Sequence, residues 1–330
     1  MSLLVSIIIP SAGRRPKFLQ RAIKSVLIDD EQIQTEVIVV LNGIDGMAFD
    51  LSQSFQHPFV KYYKIEQGNV CKARNYGLSI AQGDLIRFLD DDDFLYPDVA
   101  YQQYLELLHS DAHLSTYAGA IEDNNTRYQI IKPIKIEDYC AATLSPYCPA
   151  LTFATVYKSK TIKHLKWDEY IFVVEDEKWM RTIAASTEIK WLRSNEVVAV
   201  WYQHDIDRLS LPIGYPELYR NRCISIKETL QKLEAENRLT VSRKINASSG
   251  LWSAVHGGLY SAPIYWTKVA LYARKLDPQS KPDDAFFQKL PNWIHPLVIE
   301  WLMLPKRWLN HLLRVVKHKL RYNKSFVRKF

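Results

Sequence analysis

Four consecutive aspartates, Asp90 to Asp93, follow directly on the apolar run Leu85 to Leu89. Carboxylates this close together repel one another, and the repulsion raises their pKa values unless a cation is present. A hard divalent cation, Mg²⁺ or Mn²⁺, takes oxygen ligands and leaves positions for phosphate oxygens of a substrate. Because alternate side chains of an extended segment point the same way, Asp90 and Asp92 are expected to act together. The pattern predicts a metal and diphosphate site, with a solvated acidic turn as the alternative.

Two cationic side chains, Lys72 and Arg74, lie just upstream in the segment GNVCKARNYG. The rigid fork of an arginine suits a phosphate or the carbonyl of a base. Small residues of the same segment, Ala73 and Gly77, allow close packing. An ordinary surface helix is the alternative interpretation of this segment.

Downstream, the segments WDEYIFVVEDEKW and WYQHDIDRLS carry further ionic side chains. Glu175 and Asp176 lie at a predicted helix start, where either carboxylate is a candidate general base. Acidic residues also suit a helix N-terminus without any catalytic role, because they complement the helix dipole. His204 is a candidate ligand of a metal or phosphate, and a structural histidine is the alternative.

Alternating strands and helices are predicted to position these residues. The predicted strands are 3–9, 37–41, 60–65 and 85–89, and the predicted helices are 16–27 and 72–81. Apolar strands separated by helices predict a parallel sheet covered on both faces, which binds ligands beyond the carboxyl ends of its strands. Pro10, Asn42 and the aspartates all follow such ends, so we expect them to converge. Further predicted strands are 114–121, 152–157 and 197–202, and further predicted helices are 175–185, 215–239 and 266–276.

The composition, 47% hydrophobic and 24% charged residues, is that of a globular protein and excludes a disordered, collagenous or coiled-coil chain. The four cysteines are scattered without a CxxC pair, which fits a reducing cytoplasm and argues against a disulfide scaffold or zinc knuckle. No basic segment precedes the first apolar run, so this run is predicted to be a buried strand and not a secretion signal.

The order of the motifs VSIIIPSAGR, VIVVLNGIDG, NVCKARNYG, GDLIRFLDDDDF, WDEYIFVVEDEKW and YQHDIDRLS resembles that of the family 2 glycosyltransferases over residues 3–210. The resemblance implies an α/β protein with the GT-A fold, a doubly wound, mixed, mostly parallel sheet flanked by helices and followed by a mainly helical C-terminal region. It implies a catalytic domain at 1–210 that binds a nucleotide sugar, a helical region at 211–291 and a basic amphipathic tail at 292–330.

The resemblance also assigns roles to residues of this sequence. Residues implied in nucleotide binding are Pro10, Ser11, Arg14, Asn42, Lys72, Arg74, Asp90 and Asp91. Residues implied in metal binding are Asp90, Asp92 and His204. Asp176 is implied as the general base, with Glu175 as the second candidate. Two departures affect the nucleotide site, because Leu41 and Asn42 replace the family's acidic pair, and Ser11-Ala12-Gly13 replaces Thr-Tyr-Asn. Arg14 or the adjacent Arg15 can contact phosphate.

The activity implied is inverting, metal-dependent transfer of a hexosyl or N-acetylhexosaminyl group from a nucleotide-diphosphate sugar, with UDP as the favoured nucleotide. The acceptor is expected to be a hydroxyl of a glycan, lipid-linked during cell-surface polysaccharide synthesis. Trp167, Tyr170 and Trp179 are expected to stack on sugar rings, with a place in the protein core as the alternative. A sugar-phosphate nucleotidyltransferase is the alternative, although SAGRRPK has a single glycine where such enzymes carry a glycine-rich loop. A non-catalytic nucleotide- or glycan-binding module is the third possibility, and the intact acidic residues argue against it.

The C-terminal segment carries most of the chain's excess charge. The net charge is +7, and nine Lys or Arg lie after Glu300, where there is no Asp or Glu. Leu309, Leu312 and Leu313 recur at helical spacing among these basic residues. A basic, amphipathic, Trp-bearing segment is typical of a membrane interface. A helix that packs on the protein body with its basic face solvated is the alternative. We therefore expect a cytoplasmic protein held peripherally on the inner face of the cell membrane by an anionic surface, and no nucleic-acid partner.

Overall fold

The computed structural model describes residues 3–123, 126–204, 216–291 and 293–313. The chain divides into two compact units between Leu211 and Pro212, and Leu144–Pro146 belong to the second unit. The motifs with candidate chemistry all lie in the first unit.

The first unit contains one mixed sheet of nine strands. The strands are β1 (Leu3–Ser11), β2 (Ile33–Asn42), β3 (Val60–Ile65), β4 (Leu85–Phe88), β5 (Phe94–Leu95), β6 (Leu114–Asp123), β7 (Thr126–Ile131), β8 (Thr155–Lys158) and β9 (Trp191–Tyr202). Their order is β3-β2-β1-β4-β8-β6-β9-β5, with β7 paired to β6. β1 to β4 pair in parallel, as do β6 and β9, whereas β5, β7 and β8 pair antiparallel. The sheet is therefore mixed and mostly parallel, as predicted.

Helices flank this sheet. They are α1 (Pro16–Lys24), α2 (Gly43–Ala48), α3 (Val70–Ile80), α4 (Pro97–Leu108), α5 (Tyr139–Leu144), α6 (Ser159–Ile162) and α7 (Glu175–Ser186). β1 supplies the centre of the core, because Val5, Ile7 and Ile9 are fully buried. α3 packs closely on β1, since a Cβ atom at Gly77 would come within 2.4 Å of the Ile8 side chain. The close packing expected from the small residues of this segment is present.

Two element boundaries differ from the sequence prediction for local reasons. β1 continues past Pro10 to Ser11, although proline has no N–H to donate to a ladder. Ile8 O accepts from Leu89 N, so the backbone polar atoms of Ile8 face β4. Those of Pro10, two residues further on, face the same side, but β4 has already ended at Phe88, so the missing N–H of Pro10 costs no hydrogen bond to it. α3 begins at Val70, before the predicted start, because the Asn69 side chain caps the helix by accepting from Lys72 N at 3.0 Å.

The second unit is helical throughout its described residues. Its helices are α8 (Pro216–Ala235), α9 (Val241–Gly258), α10 (Pro263–Leu276), α11 (Ala285–Gln288) and α12 (Pro296–Leu302), and residues 304–313 are also helical. α9 was not predicted, because its serines and glycines hide the apolar periodicity, but Thr240 caps it by accepting from Arg243 N at 3.3 Å. Among the described residues, none of the helices has both the length and the apolar character that crossing a membrane requires.

An ion cluster attaches α12 and the residues after it to α9. Glu300 is fully buried, and its Oε2 lies 2.6 Å from Arg307 Nη1. Its Oε1 lies 2.7 Å from His256 Nδ1. Arg307 Nη1 also donates to His256 O at 2.5 Å, and Trp308 Nε1 donates to Tyr260 O at 2.7 Å. The described beginning of the predicted tail therefore packs into the helical unit.

Candidate active site

Three strand ends of the first unit meet at one edge of the sheet, as the sequence predicts. β1 and β2 pair in parallel and end at Ser11 and Asn42, and Pro10 is buried beside them. Asn42 Nδ2 donates to Ser11 O at 3.0 Å, and Ser11 Oγ donates to Asp91 Oδ2 at 2.5 Å. Hydrogen bonds thus join the ends of β1 and β2 to the segment that follows β4.

The four aspartates divide into an inner and an outer pair. Asp91 and Asp93 are buried, whereas Asp92 is partly exposed and 43% of the Asp90 side chain is exposed. Burial raises the pKa of Asp91 to about 6, against the pull of Arg15 and Ser11. Burial also raises the pKa of Asp93 well above its usual range, and the neighbouring aspartates add to the shift. Asp90 and Asp92 are therefore the pair available to a ligand.

Arg15, and not Arg14, joins the aspartates. Arg15 Nη2 donates to Asp91 Oδ1 at 2.7 Å, and Arg15 Nη1 donates to Asp92 Oδ2 at 2.5 Å. The Nε2 atom of His204 lies 2.8 Å from Asp92 Oδ2 and 2.7 Å from Arg15 Nη1. Arg14 instead donates to Asp45 at 2.5 Å in an exposed ion pair. The sequence analysis offered either arginine as a phosphate contact, and the structure places Arg15 beside the aspartates.

The aspartates have the donor chemistry that a hard divalent cation needs, because carboxylate oxygens are the ligands that Mg²⁺ and Mn²⁺ prefer. Asp90 and Asp92 present such oxygens at partly exposed positions. Among the described residues, no three His, Cys, Asp or Glu side chains are grouped so as to hold a metal ion. The structure brings His204 to Asp92 but does not assemble Asp90, Asp92 and His204 into one ligand set.

Arg74 connects the aspartates to the second acidic pair. Its buried guanidinium places Nη2 2.9 Å from Asp90 Oδ1 and Nη1 3.3 Å from Asp176 Oδ1 and 3.6 Å from Glu175 Oε1. Its carbon also lies 4.3 Å from the centre of the Trp167 ring. Burial alone lowers the pKa of Arg74, but the three carboxylates outweigh it and raise the pKa above its usual value.

Lys72 occupies the first turn of α3, next to this cluster in sequence. Its backbone N donates to Asn69 Oδ1 at 3.0 Å. Over the ranges that the structure describes, its side chain forms no ion pair with the carboxylates. The structure therefore brings Arg74, but not Lys72, into contact with the acidic residues.

Glu175 and Asp176 form the first turn of α7. Burial, and then the charge of Asp176, raises the pKa of Glu175 to about 7. Burial and the charge of Asp90 also raise the pKa of Asp176, although 41% of its side chain stays accessible. The preceding residue, Val174, has φ 59° and ψ 28°, a left-handed conformation that a β-branched residue rarely adopts. The acidic pair thus follows a strained backbone position.

Two of the three aromatic residues expected to stack on sugars belong to the core. Trp167 and Trp179 are buried and stack on each other, with ring centres 4.6 Å apart and planes 8° apart. The prediction was wrong for these two residues, because their rings are already covered by protein. Tyr170 is 92% exposed and remains available.

The sequence analysis missed two asparagines, Asn75 in α3 and Asn69 at the N-cap of the same helix. Asn75 Oδ1 accepts from Trp167 N at 2.8 Å, and Asn75 Nδ2 donates to Trp167 O at 3.0 Å and to Glu169 Oε1 at 2.9 Å. Asn69 Nδ2 donates to Glu169 O at 2.9 Å. A side-chain amide can both donate and accept hydrogen bonds. The two asparagines in GNVCKARN were therefore the one sequence signal that this segment could hold a neighbouring loop.

Residues 6–181 match the family model described as glycosyl transferase family 2, which covers more than half of the chain. The chain belongs to glycosyltransferase family 2. The sequence of this glycosyltransferase is 24% identical over 242 residues to the O-antigen biosynthesis glycosyltransferase WbnJ of Escherichia coli, covering 71% of this chain and 92% of WbnJ. It is 27% identical over 191 residues to an uncharacterized glycosyltransferase of Methanocaldococcus jannaschii, covering 55% of this chain and 65% of that protein.

The glycosyltransferase also resembles a solved structure, that of S. aureus TarS residues 1–349 in complex with UDP-GlcNAc. The TM-score is 0.51 at 13% identity, covering 84% of this chain and 88% of that chain. At this identity the likeness concerns the fold, and it confirms the predicted GT-A fold with its helical C-terminal region. The prediction of a family 2 glycosyltransferase is likewise confirmed.

Proposed function

We propose that this glycosyltransferase is an inverting enzyme that moves a sugar from a UDP-sugar to a hydroxyl of a glycan acceptor during cell-surface polysaccharide synthesis. The observation that carries the proposal is the bridge that Arg74 makes between Asp90 and Asp176. The Arg74 guanidinium thereby links the aspartates proposed to bind the leaving diphosphate to a candidate base. The UDP-GlcNAc bound to TarS supports a UDP-linked hexosyl or N-acetylhexosaminyl donor, and the name of WbnJ supports the polysaccharide role.

The proposed reaction is a single displacement. The acceptor oxygen forms a bond to the anomeric carbon while the bond from that carbon to the diphosphate oxygen breaks, and the diphosphate keeps the electron pair. Asp176 takes the acceptor proton, with Glu175 as the second candidate. Arg15 and Arg74, which contact the aspartates, would stabilise negative charge on the diphosphate. Attack from the face opposite the leaving group inverts the anomeric configuration without a covalent intermediate.

Mn²⁺ or Mg²⁺ is the proposed cofactor, and Asp90 and Asp92 would hold it. Such an ion would neutralise negative charge on the diphosphate. The carboxylates of the site, Asp90 to Asp93, Glu175 and Asp176, outnumber the two guanidiniums that contact them, those of Arg15 and Arg74. Repulsion among these carboxylates adds to burial in raising the pKa values of Asp91, Asp93, Glu175 and Asp176. This acidic excess supports a further cation.

A thermal-shift and calorimetry series with UDP, GDP and dTDP tests both the donor class and the metal. UDP is expected to stabilise the protein more than the other nucleotides, and Mn²⁺ is expected to strengthen UDP binding by about tenfold or more. Chelation by EDTA and the substitution Asp92→Ala should each remove this gain, whereas the surface control Asp111→Ala should keep it. The same UDP affinity in all these samples would exclude the metal, and no binding of any nucleotide would exclude the function.

We also propose that the C-terminal segment binds an anionic membrane surface, where a lipid-linked acceptor would lie. Large apolar side chains from residue 293 onward are 43–84% exposed; they are Trp293, Val298, Trp301, Leu302, Trp308, Leu309, Leu312 and Leu313. Lys306 is exposed beside them, whereas Arg307 is already paired with the buried Glu300. The other seven basic residues of the predicted tail lie in 314–330, outside the described residues. Each basic residue near an anionic leaflet adds about 1 kcal/mol of attraction.

Flotation with liposomes that contain phosphatidylglycerol tests the membrane proposal. The wild-type protein should float, and less so at high salt because salt screens surface charge. The double variant Leu309→Glu and Leu312→Glu should stay at the bottom, because it places charge on the exposed apolar surface. The control is Ile264→Glu, which changes an apolar residue of α10 that is still more exposed, at 74% against 58% for Leu309 and 60% for Leu312. Equal flotation of the double variant and the control would contradict the proposal.

A further inference from the structure

Two aromatic rings are exposed on the segment that leads into the acidic pair of α7. Tyr170 is 92% exposed and Phe172 is 73% exposed, whereas Trp167, at the start of the same segment, is buried. One residue separates these two rings in the chain, and they precede Asp176 by six and four residues. Residues 168–172 are called the aromatic loop below.

The backbone of the aromatic loop is held in place by α3. Asn75 forms three hydrogen bonds with Trp167 and Glu169, and Asn69 donates to Glu169 O. The Cys71 thiol approaches Ile171 O at 3.9 Å. Within the loop, Asp168 Oδ1 accepts from Tyr170 N at 3.0 Å. The two exposed rings are therefore presented on a fixed backbone, which reduces the ordering cost of binding a ligand.

The residues on both sides of the aromatic loop contact Arg74, because the Trp167 ring lies against its guanidinium and the acidic pair of α7 faces its Nη1 atom. Arg74 Nη2 faces Asp90, and Nη1 faces Glu175 and Asp176, to which the loop connects through the strained residue Val174. Strained backbone of this kind clusters at ligand-binding and catalytic sites. A general base must lie within hydrogen-bond reach of the proton it removes, so an acceptor sugar has to rest beside Asp176.

We propose that the aromatic loop is the acceptor-binding surface, on which Tyr170 and Phe172 stack against the C–H face of a pyranose ring. Aromatic rings offer a large apolar area, and the tyrosine hydroxyl adds a polar group for a sugar hydroxyl. Asn69 and Asn75 are positioning residues that hold this surface beside the base. The inference rests on the proposed function, because it assumes transfer to a sugar hydroxyl at Asp176.

Saturation-transfer NMR tests the inference with four probes, the methyl β-glycosides of glucose, galactose, N-acetylglucosamine and N-acetylgalactosamine, with and without UDP. The wild-type protein should bind at least one glycoside and saturate its ring protons. Tyr170→Ala and Phe172→Ala should each raise the glycoside Kd by about fivefold. Tyr128→Ala, which removes an exposed tyrosine from β7, is the matched control and should leave the Kd unchanged.

Asn75→Ala should raise the glycoside Kd while the UDP affinity is retained, because Asn75 contacts the loop and no aspartate of the Asp90–Asp93 run. Equal glycoside binding by Tyr170→Ala and Tyr128→Ala would overturn the inference. So would a wild-type protein that binds none of the glycosides, or a loss of UDP affinity in the loop variants, which would place the rings at the donor. These outcomes can be distinguished from failure of the proposed function, which is tested by nucleotide binding without any glycoside.

Discussion

Asp176→Asn is expected to lower sugar transfer by about 100-fold or more while the UDP affinity stays unchanged. The asparagine amide keeps an oxygen that can accept from Arg74, which lies 3.3 Å from the present carboxylate, but it cannot take a proton from the acceptor. A base acts on the acceptor, so its loss appears in turnover and not in donor binding. Initial rates of UDP release with acceptor, together with calorimetric UDP binding, measure the two effects separately.

Glu175→Gln is the comparison that identifies the base. If Asp176→Asn keeps more than about a tenth of the rate, Asp176 is not the base, because base catalysis contributes more than this. Glu175 is then the candidate, and its pKa of about 7 gives it a pH signature. A protonated carboxyl cannot accept a proton, so a rate that depends on Glu175 should fall as the pH drops through about 7.

Arg74→Met is expected to remove UDP binding and to lower the free energy of unfolding. The buried guanidinium faces Asp90, Asp176 and Glu175, and its removal leaves these carboxylates without their counterion. Breaking a fully buried ion pair costs about 3–5 kcal/mol. Because Asp90 and Asp176 are 43% and 41% exposed, water offsets part of this penalty, and we expect a loss of about 2 kcal/mol.

Urea unfolding and UDP calorimetry measure the two consequences for Arg74. Arg74→Lys should recover part of the stability but little of the UDP affinity, because one ammonium cannot contact Asp90 and Asp176 together as the guanidinium fork does. The control is Lys190→Met, which breaks an exposed ion pair with Asp111 and should change stability by less than about 1 kcal/mol. Wild-type UDP affinity in Arg74→Met would contradict the proposed donor site.

The parallel half of the sheet could be predicted from sequence because its strands are apolar throughout. β3 has the predicted bounds, Val60–Ile65. α1 ends at Lys24, before its predicted end at residue 27, because the buried Val26 continues the apolar pattern after the helix has stopped. Hydrophobic periodicity reports burial, and burial does not require helical backbone. The same limitation concealed α9, in which Ser248, Gly250 and Gly258 are buried although they are not apolar side chains.

The candidate site could be predicted only in part, for a similar reason. The sequence indicates that carboxylates follow β4, but only the fold shows that Asp91 and Asp93 are buried while Asp90 and Asp92 remain accessible. Likewise, Arg14 and Arg15 are equivalent in sequence, and their directions depend on the turn between β1 and α1. The contacts of Asn75 join residues far apart in the chain, which no local pattern reveals.

The buried Glu300 has a consequence for how the chain is made and how long it survives. During synthesis, Glu300 emerges before Arg307, its ion-pair partner. Before Arg307 emerges, the buried Glu300 carboxylate has His256 but not the guanidinium that compensates its charge, so the docking of α12 on α9 is complete only after Arg307 has left the ribosome. A protease that cuts between the two residues would separate the same pair. The C-terminal helices thereby make the stability of the second unit depend on a chain that is intact through Arg307.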